Sequence, residues 1–292
     1  MDGIRKHFRR LESWVRAPSA TTQRGPHFQY MSDLHLEVGQ QYLTFDFDVT
    51  APNLILAGDI GRLIDYEGYV SFLQKQTTRY TRVFLVLGNH EFYDLSFETG
   101  LARARALEKE PVFEGKLILL QRNAFVFGDE GVVIIGCPLW SFIPGDSAPK
   151  VASVLNDFKR IEGWTIEKHN FNHAEDLSWL RDQVQHHKAD TRILVVTHHA
   201  PLVGKTASPQ HKNSLIKSAF ATDVLLDTRD STWSPVKYWI FGHTHWTTQF
   251  KLKGIQVVSN QRGYVFPGKN ARLVADTQEP SHTFDANRVI QP

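Results

Sequence analysis

The sequence predicts a layered α/β fold with a mixed sheet system, and three observations carry that expectation. Short apolar runs rich in branched residues recur along the chain, each run ends in a polar cluster, and segments of helical character stand between them. The runs are Phe28 to Ser32, Asn53 to Ala57, Arg82 to Leu87, Ile193 to Thr197 and Tyr238 to Phe241. They are short and almost continuously apolar, which is the pattern of strands covered on both faces. Helical segments are read at Tyr69 to Arg79, Phe97 to Glu108 and His173 to His186. Two further runs, Leu117 to Leu120 and Val132 to Gly136, have only Asn and Gly turn signals between them, so antiparallel pairing is expected there. Ile255 to Ser259 and Gly263 to Val265 read as the last strands. The polar stretches from Pro138 to Asn172 and from Pro201 to Pro235 are long and rich in Pro, Ser, Asp and Trp, and read as loops with short helices.

The chain divides into a basic extension over residues 1–25, one domain over 26–268, and a polar tail over 269–292 that is expected to wrap the surface or be partly disordered. In the extension, Arg5, Lys6, Arg9, Arg10 and Arg16 alternate with Ile4, Phe8, Leu11, Trp14 and Val15 at helical spacing. A surface helix packing Leu11 and Trp14 is the expectation, with a mitochondrial transit segment or a membrane-surface contact as the alternative.

Composition narrows the function classes. With 33 basic and 31 acidic residues the formal charge is +2, too small for an extended nucleic-acid binding surface. The single cysteine, Cys137, excludes an internal disulfide framework and fits a reducing compartment. No apolar run reaches the length of about 18 residues needed to span a bilayer, and the amino terminus lacks a secretory apolar core, so a cytoplasmic protein is expected.

The chemistry is concentrated where the apolar runs stop. Asp33 and His35 follow the first, and on an extended chain their spacing points both side chains to one side. Gly58-Asp59 follows the second, with Gly58 permitting a sharp turn and Asp59 able to bridge two cations. Gly88-Asn89-His90-Glu91 follows the third: Asn89 offers an amide oxygen and His90 an imidazole that can protonate a reacting oxygen. His198-His199 follows the fourth, and Gly242-His243-Thr244-His245 the fifth. Alone, an Asp-x-His is as easily a capping Asp beside a surface His, and a Gly-Asp is simply a turn. Five such clusters at five strand ends are not explained by accident.

The order Asp-x-His, Gly-Asp, Gly-Asn-His-Glu, His and Gly-His-x-His resembles the calcineurin-like metallophosphoesterase superfamily, and the resemblance runs from Asp33 to His245. It implies a four-layer sandwich of two mixed β-sheets flanked by helices, with a dinuclear metal centre at the strand ends. Carried over, one metal is bound by Asp33, His35 and His245 and the other by Asn89, His198 and His243, with Asp59 bridging and His90 contacting the phosphoryl group or leaving oxygen. Arg62 stands where the family commonly has a second Asp, and reads either as a substrate-phosphate donor or as the partner of an acidic surface residue. The strings that mark the protein Ser/Thr phosphatase branch are absent at Gly58 to Ile64 and Leu85 to Glu91, so a small, non-protein phosphate ester is expected as substrate.

Two cations about 3.5 to 4 Å apart lower the pKa of a shared water toward about 7, and the expected reaction is attack of that bridging hydroxide on a phosphomonoester or phosphodiester. The mixed nitrogen and oxygen donors admit manganese, iron or zinc. Two other readings stay open: the same centre serving other chemistry on a specialised metabolite, and a non-catalytic binding scaffold. His199 reads as a supporting rather than a ligating residue. His169, His173, His186, His187 and His211 read as mainly surface residues, with His211 a candidate for the substrate rim. Trp140, Phe142 and Trp164 read as core or, alternatively, as a substrate wall.

Overall fold

The apolar runs become the centres of two sheets. The computed structural model describes residues 25–188, 190–227, 230–266 and 282–292. The basic extension up to residue 24 lies outside the described residues. In the first sheet, β1 (Phe28–Met31), β2 (Asn53–Ala57), β3 (Arg82–Val86) and β4 (Leu117–Leu119) run parallel in that order. The second sheet has β6 (Val132–Gly136), β7 (Arg192–Val196), β8 (Val236–Phe241) and β10 (Ile255–Ser259) as a parallel core. Its antiparallel edges are β5 (Asn123–Val126), on β6, and β9 (Thr248–Leu252), on β10.

Strand alternation sorts the side chains into three apolar layers. Phe28, Tyr30, Ile55, Phe84 and Val86 of the first sheet face Val132, Ile134, Leu194, Val196, Ile240 and Val258 of the second, forming the core between them. On the outer face of the first sheet, Leu54, Leu56, Val83 and Leu85 pack with Tyr69, Phe72 and Leu73 of α1 (Tyr66–Arg79) and with Ala104 and Leu107 of α2 (Phe97–Glu108). On the outer face of the second, Val133, Ile135, Ile193, Val195, Trp239 and Val257 pack with Leu180 and Val184 of α5 (Ile166–His186). The result is the four-layer sandwich, helix on sheet on sheet on helix.

Helix ends follow local capping chemistry. Ser96 accepts from the Thr99 amide at 3.1 Å to start α2, and Thr165 accepts from the Lys168 amide at 3.2 Å to start α5, seven residues before the expected start at His173. The stretch from Pro138 to Asn172 holds two short helices, α3 (Ala148–Val154) and α4 (Asp157–Arg160), before the first residues of α5. That from Pro201 to Pro235 holds single turns of 3-10 helix at Pro209–His211 and Lys217–Ala219.

Two strand expectations are corrected. Leu117 to Leu120 and Val132 to Gly136 do not pair: β4 closes the first sheet parallel to β3, whereas β6 belongs to the second. The antiparallel partner of β6 is β5, lying between the two runs in sequence, whose half-exposed edge position leaves it no continuous apolar signal. Gly263 to Val265 forms no strand; the second sheet ends instead in a β9–β10 hairpin, turned through Lys253 and Gly254, both left-handed at φ 47° and 88°.

The end of the tail returns to the sandwich. β11 (Val289–Ile290) pairs antiparallel with β1, and Gln29 and Asn260 donate to the carbonyls of Ala286 and Asp285 at 2.6 and 2.8 Å. Ile290 is 7% exposed and joins the layer between the sheets. Ile290→Ala is expected to lower unfolding free energy by about 2 kcal/mol in chemical denaturation; an unchanged midpoint would mean that this strand adds nothing to the domain.

Candidate metal centre

Parallel strands deliver their carboxyl ends to one edge, and the loops that leave β1, β2, β3, β7 and β8 carry Asp33 and His35, Asp59, Asn89 and His90, His198, and His243 and His245. The local backbone differs from the extended form expected at Asp33 and His35. Both are left-handed, with φ 53° and 48°, as are Asp59 (52°), His243 (70°) and His245 (49°). Their side chains converge because the chain curls at each strand end, not through strand alternation. Each left-handed non-glycine residue costs about 1 kcal/mol or more.

Glycines before Asp59, Asn89 and His243 permit the close approach. Gly58 is left-handed at φ 88°, and a Cβ there would collide with the His198 ring. A Cβ at Gly88 would strike the Asp59 carboxylate and stand 2.7 Å from His198 Nε2, and one at Gly242 would stand 2.7 Å from Asp33 Oδ2.

Two donor sets result. In one, His35 Nε2 and His245 Nε2 are 2.9 Å apart, and His245 Nε2 is 3.5 Å from Asp33 Oδ1. In the other, His198 Nε2 lies 3.2 Å from His243 Nδ1 and 3.1 Å from Asn89 Oδ1. Asp59 stands between them, Oδ2 3.9 Å from His35 Nε2 and Oδ1 3.4 Å from His198 Nε2. Neighbouring groups aim these donors. His198 Nδ1 faces the Ala57 carbonyl at 2.9 Å, which leaves Nε2 for the site. Asn89 donates from Nδ2 to Asp157 at 2.8 Å and Tyr93 at 3.1 Å, turning its oxygen inward. Asp33 accepts from Ser32 Oγ at 2.5 Å and the His243 amide at 2.9 Å.

His90 lies beside the first set. Its Nδ1 meets Glu37 Oε1 at 2.8 Å, its Nε2 meets the Tyr264 hydroxyl at 3.1 Å, and its amide donates to Asp59 at 2.9 Å. Glu37 also reaches His35 Nδ1 at 3.3 Å.

The electrostatics of the cluster are those of buried imidazoles crowded around carboxylates. Burial opposes charging His198 and His90, but Asp59 outweighs it at both, helped by Glu37 at His90, and they rise to about 10 and about 9. Burial and neighbouring imidazoles push His243 well down and His245 down to about 3. Burial lifts Asp33 to about 6. Burial also acts to raise Glu37, yet its bonds to His35 and His90 prevail and lower it to about 2. Two imidazole nitrogens 2.9 Å apart can bond each other only if one carries a proton, whereas a shared cation satisfies both, so the donor set fits cations.

Other residues singled out in the sequence fall elsewhere. Arg62 is bound to Asp65 at 2.9 Å and to Asp94 at 2.8 Å, the acidic pairing rather than the substrate position. His169 and His173 are buried on the inner side of α5, correcting their surface reading: His169 lies against the Ser141 amide at 3.3 Å and His173 against the Leu139 carbonyl at 3.0 Å. Trp140 and Trp164 are core and Phe142 is 49% exposed. His199 is buried and stacks on His243 at 4.0 Å. Sequence reasoning missed Glu37, Tyr93, Asp157 and Tyr264. The signal for Glu37 was present, since Asp33, His35 and Glu37 share one spacing.

The chain belongs to the calcineurin-like phosphoesterase family, whose model matches residues 29–247. It is thus a metal-dependent phosphoester hydrolase. An uncharacterized protein of Acanthamoeba polyphaga mimivirus is 31% identical over 81% of this chain and 90% of its own length. Among solved structures, a phosphopantetheinyl hydrolase from Mycobacterium tuberculosis superposes with a TM-score of 0.64 at 18% identity, over 88% of this chain and 94% of that one, a likeness of fold.

Gly88→Ala is expected to reduce metal bound after manganese loading, measured by elemental analysis, with far-UV circular dichroism unchanged. Full metal content in this variant would show that the approach of Asp59 to His198 does not matter for the centre.

Proposed function

We propose that the protein hydrolyses phosphomonoester or phosphodiester bonds of a small, non-protein substrate at a dinuclear centre held by Asp33, His35, Asp59, Asn89, His198, His243 and His245. The observation that carries this reading is the placement of Asp59 between two donor sets with His90 beside them. Manganese, iron and zinc all suit these donors. Cations bound there supply a nucleophile from water at neutral pH and neutralise phosphoryl oxygens.

The remaining work falls to the chain. Glu37 accepts the Nδ1 proton of His90, holding the ring so that Nε2 presents the proton that the departing alcohol takes up. The Tyr264 hydroxyl stands 3.1 Å from that Nε2. Asp157 and Tyr93 keep Asn89 from rotating its amide nitrogen into the site. The full donor set favours catalysis over a binding scaffold, which would tolerate losses at these positions.

Elemental analysis of the purified protein, together with manganese-dependent hydrolysis of paired aryl phosphate mono- and diesters, tests this. About two metals per chain are expected, and Asp59→Asn and His90→Ala should each cut kcat by about 10² to 10⁴. Metal without hydrolysis of either ester class would sink the reading. Glu37→Gln is expected to lower kcat about tenfold with little change in KM, and Glu37→Asp to recover part of the loss. Equal effects on kcat and stability would reduce Glu37 to a structural part.

A further inference from the structure

The donor sets form the floor of a cavity far larger than a phosphoryl group needs. Its volume is about 1170 Å³, and Asp59, Asn89, His90, His243 and His245 line its base. That is at the upper end of small-molecule sites, which run to roughly 1,000 Å³. The two long segments that read as loops in the sequence supply most of the wall, chiefly residues 202–226, with 154–157 opposite. The wall is largely hydrocarbon, with Leu155, Leu202, Ile216, Phe220, Leu226 and Phe250 among its lining side chains. Phe220 lies at the deep end, 4.8 Å from the His243 ring, and Leu226 is 52% exposed. Leaving such a surface in water is unfavourable, at about 25 cal/mol per Å².

Lysines outnumber carboxylates along this wall. Lys205, Lys212 and Lys217 line the cavity, and none of them forms an ion pair among the described residues. Lys205 leans over the Phe250 ring at 5.6 Å, so its ammonium stands on the apolar wall. Three carboxylates share the lining, and two of them serve its base. Asp223 accepts the Val203 amide at 2.7 Å, Asp157 holds Asn89, and Asp59 belongs to the base.

We infer that the cavity binds the alcohol portion of the substrate, and that this alcohol is an extended, mainly aliphatic arm with an anionic group toward its far end. The inference rests on the phosphoesterase reading and names its substrate class. Phosphate sits at the base, the arm lies along the hydrocarbon wall, and the distal anion meets the lysines. A headgroup phosphate, a carboxylate or a sulfonate satisfies the same cations.

Calorimetric binding of n-alkylphosphonates from methyl to octyl tests this without requiring turnover, on the full chain with and without manganese. Kd is expected to fall by about threefold per methylene while the chain stays in contact, given about 0.8 kcal/mol per buried methylene as the upper bound. The slope should persist without manganese, though binding is weaker throughout. An ω-carboxylate on the octyl arm should tighten binding several-fold over an ω-hydroxyl, and Lys205→Ala with Lys212→Ala and Lys217→Ala should erase that gain. Ile216→Asp with Leu226→Asp should flatten the slope, whereas Val126→Asp on the remote edge strand should leave it intact. A flat series in the parent chain overturns the inference, as does a slope that survives at Ile216 and Leu226, or adenosine monophosphate binding more tightly than octylphosphonate. Aryl ester hydrolysis with a flat series would defeat this inference alone; a steep series with no ester hydrolysed would defeat the phosphoesterase reading of the site instead.

Discussion

A single buried carboxylate ties the site loops together. Glu91 accepts the backbone N–H of Gly88 at 2.6 Å, Ile60 at 2.8 Å and Asp59 at 3.0 Å, and the hydroxyl of Tyr69 on α1 at 3.0 Å. The loop after β2 and the loop after β3 are thereby closed on one anchor, and the helix that covers the first sheet is tied to it. Burial, with Asp59 adding to it, pushes the carboxyl of Glu91 up to about 7, against the pull of His198 and the amides. A buried carboxylate is expensive unless its oxygens are satisfied, and here they are satisfied by the groups whose positions matter most. Asp59 can stand between two donor sets only because its own amide is held from behind.

The donor positions were legible because each lies where an apolar run stops, and strand ends are where open parallel sheets place their sites. What sequence spacing misjudged was how they converge. Asp33 and His35 looked like neighbours on one face of an extended chain, yet both are left-handed, and only the curl brings them to Asp59. The edge strands were hidden for a physical reason. β5 has no fully buried residue and β9 only Thr248, so both lack the unbroken apolar signal of the central strands. Sheet membership, as at β4 and β6, is decided by partners far away in sequence. His169 and His173 looked like polar surface residues, although one turn of helix places both on the inner side of α5. Glu37 was open to discovery on spacing alone, and Tyr93 follows its partner Asn89 by only four residues; Asp157 and Tyr264 were not, since nothing local links them to the strand-end clusters.

The division of labour between core and loops follows from the same topology. The parallel strands are covered on both faces and leave their carboxyl ends as the free edge, so the two long segments at that edge shape the cavity without disturbing the sandwich. The candidate donors sit on short, tightly anchored turns, while the wall belongs to irregular chain. In the proposed function, substrate range and bond-breaking apparatus are therefore carried by separate parts of the sequence.

The left-handed turns also store conformational strain at the candidate site. At Asp33, His35, Asp59, His243 and His245 a glycine would relax the backbone, so each side chain stands there against a local conformational cost. Five such positions sum to several kcal/mol, comparable with the whole margin by which a domain stays folded. The turns keep that shape because hydrogen bonds from neighbouring loops, such as those from the His243 and His90 amides to Asp33 and Asp59, over-determine them.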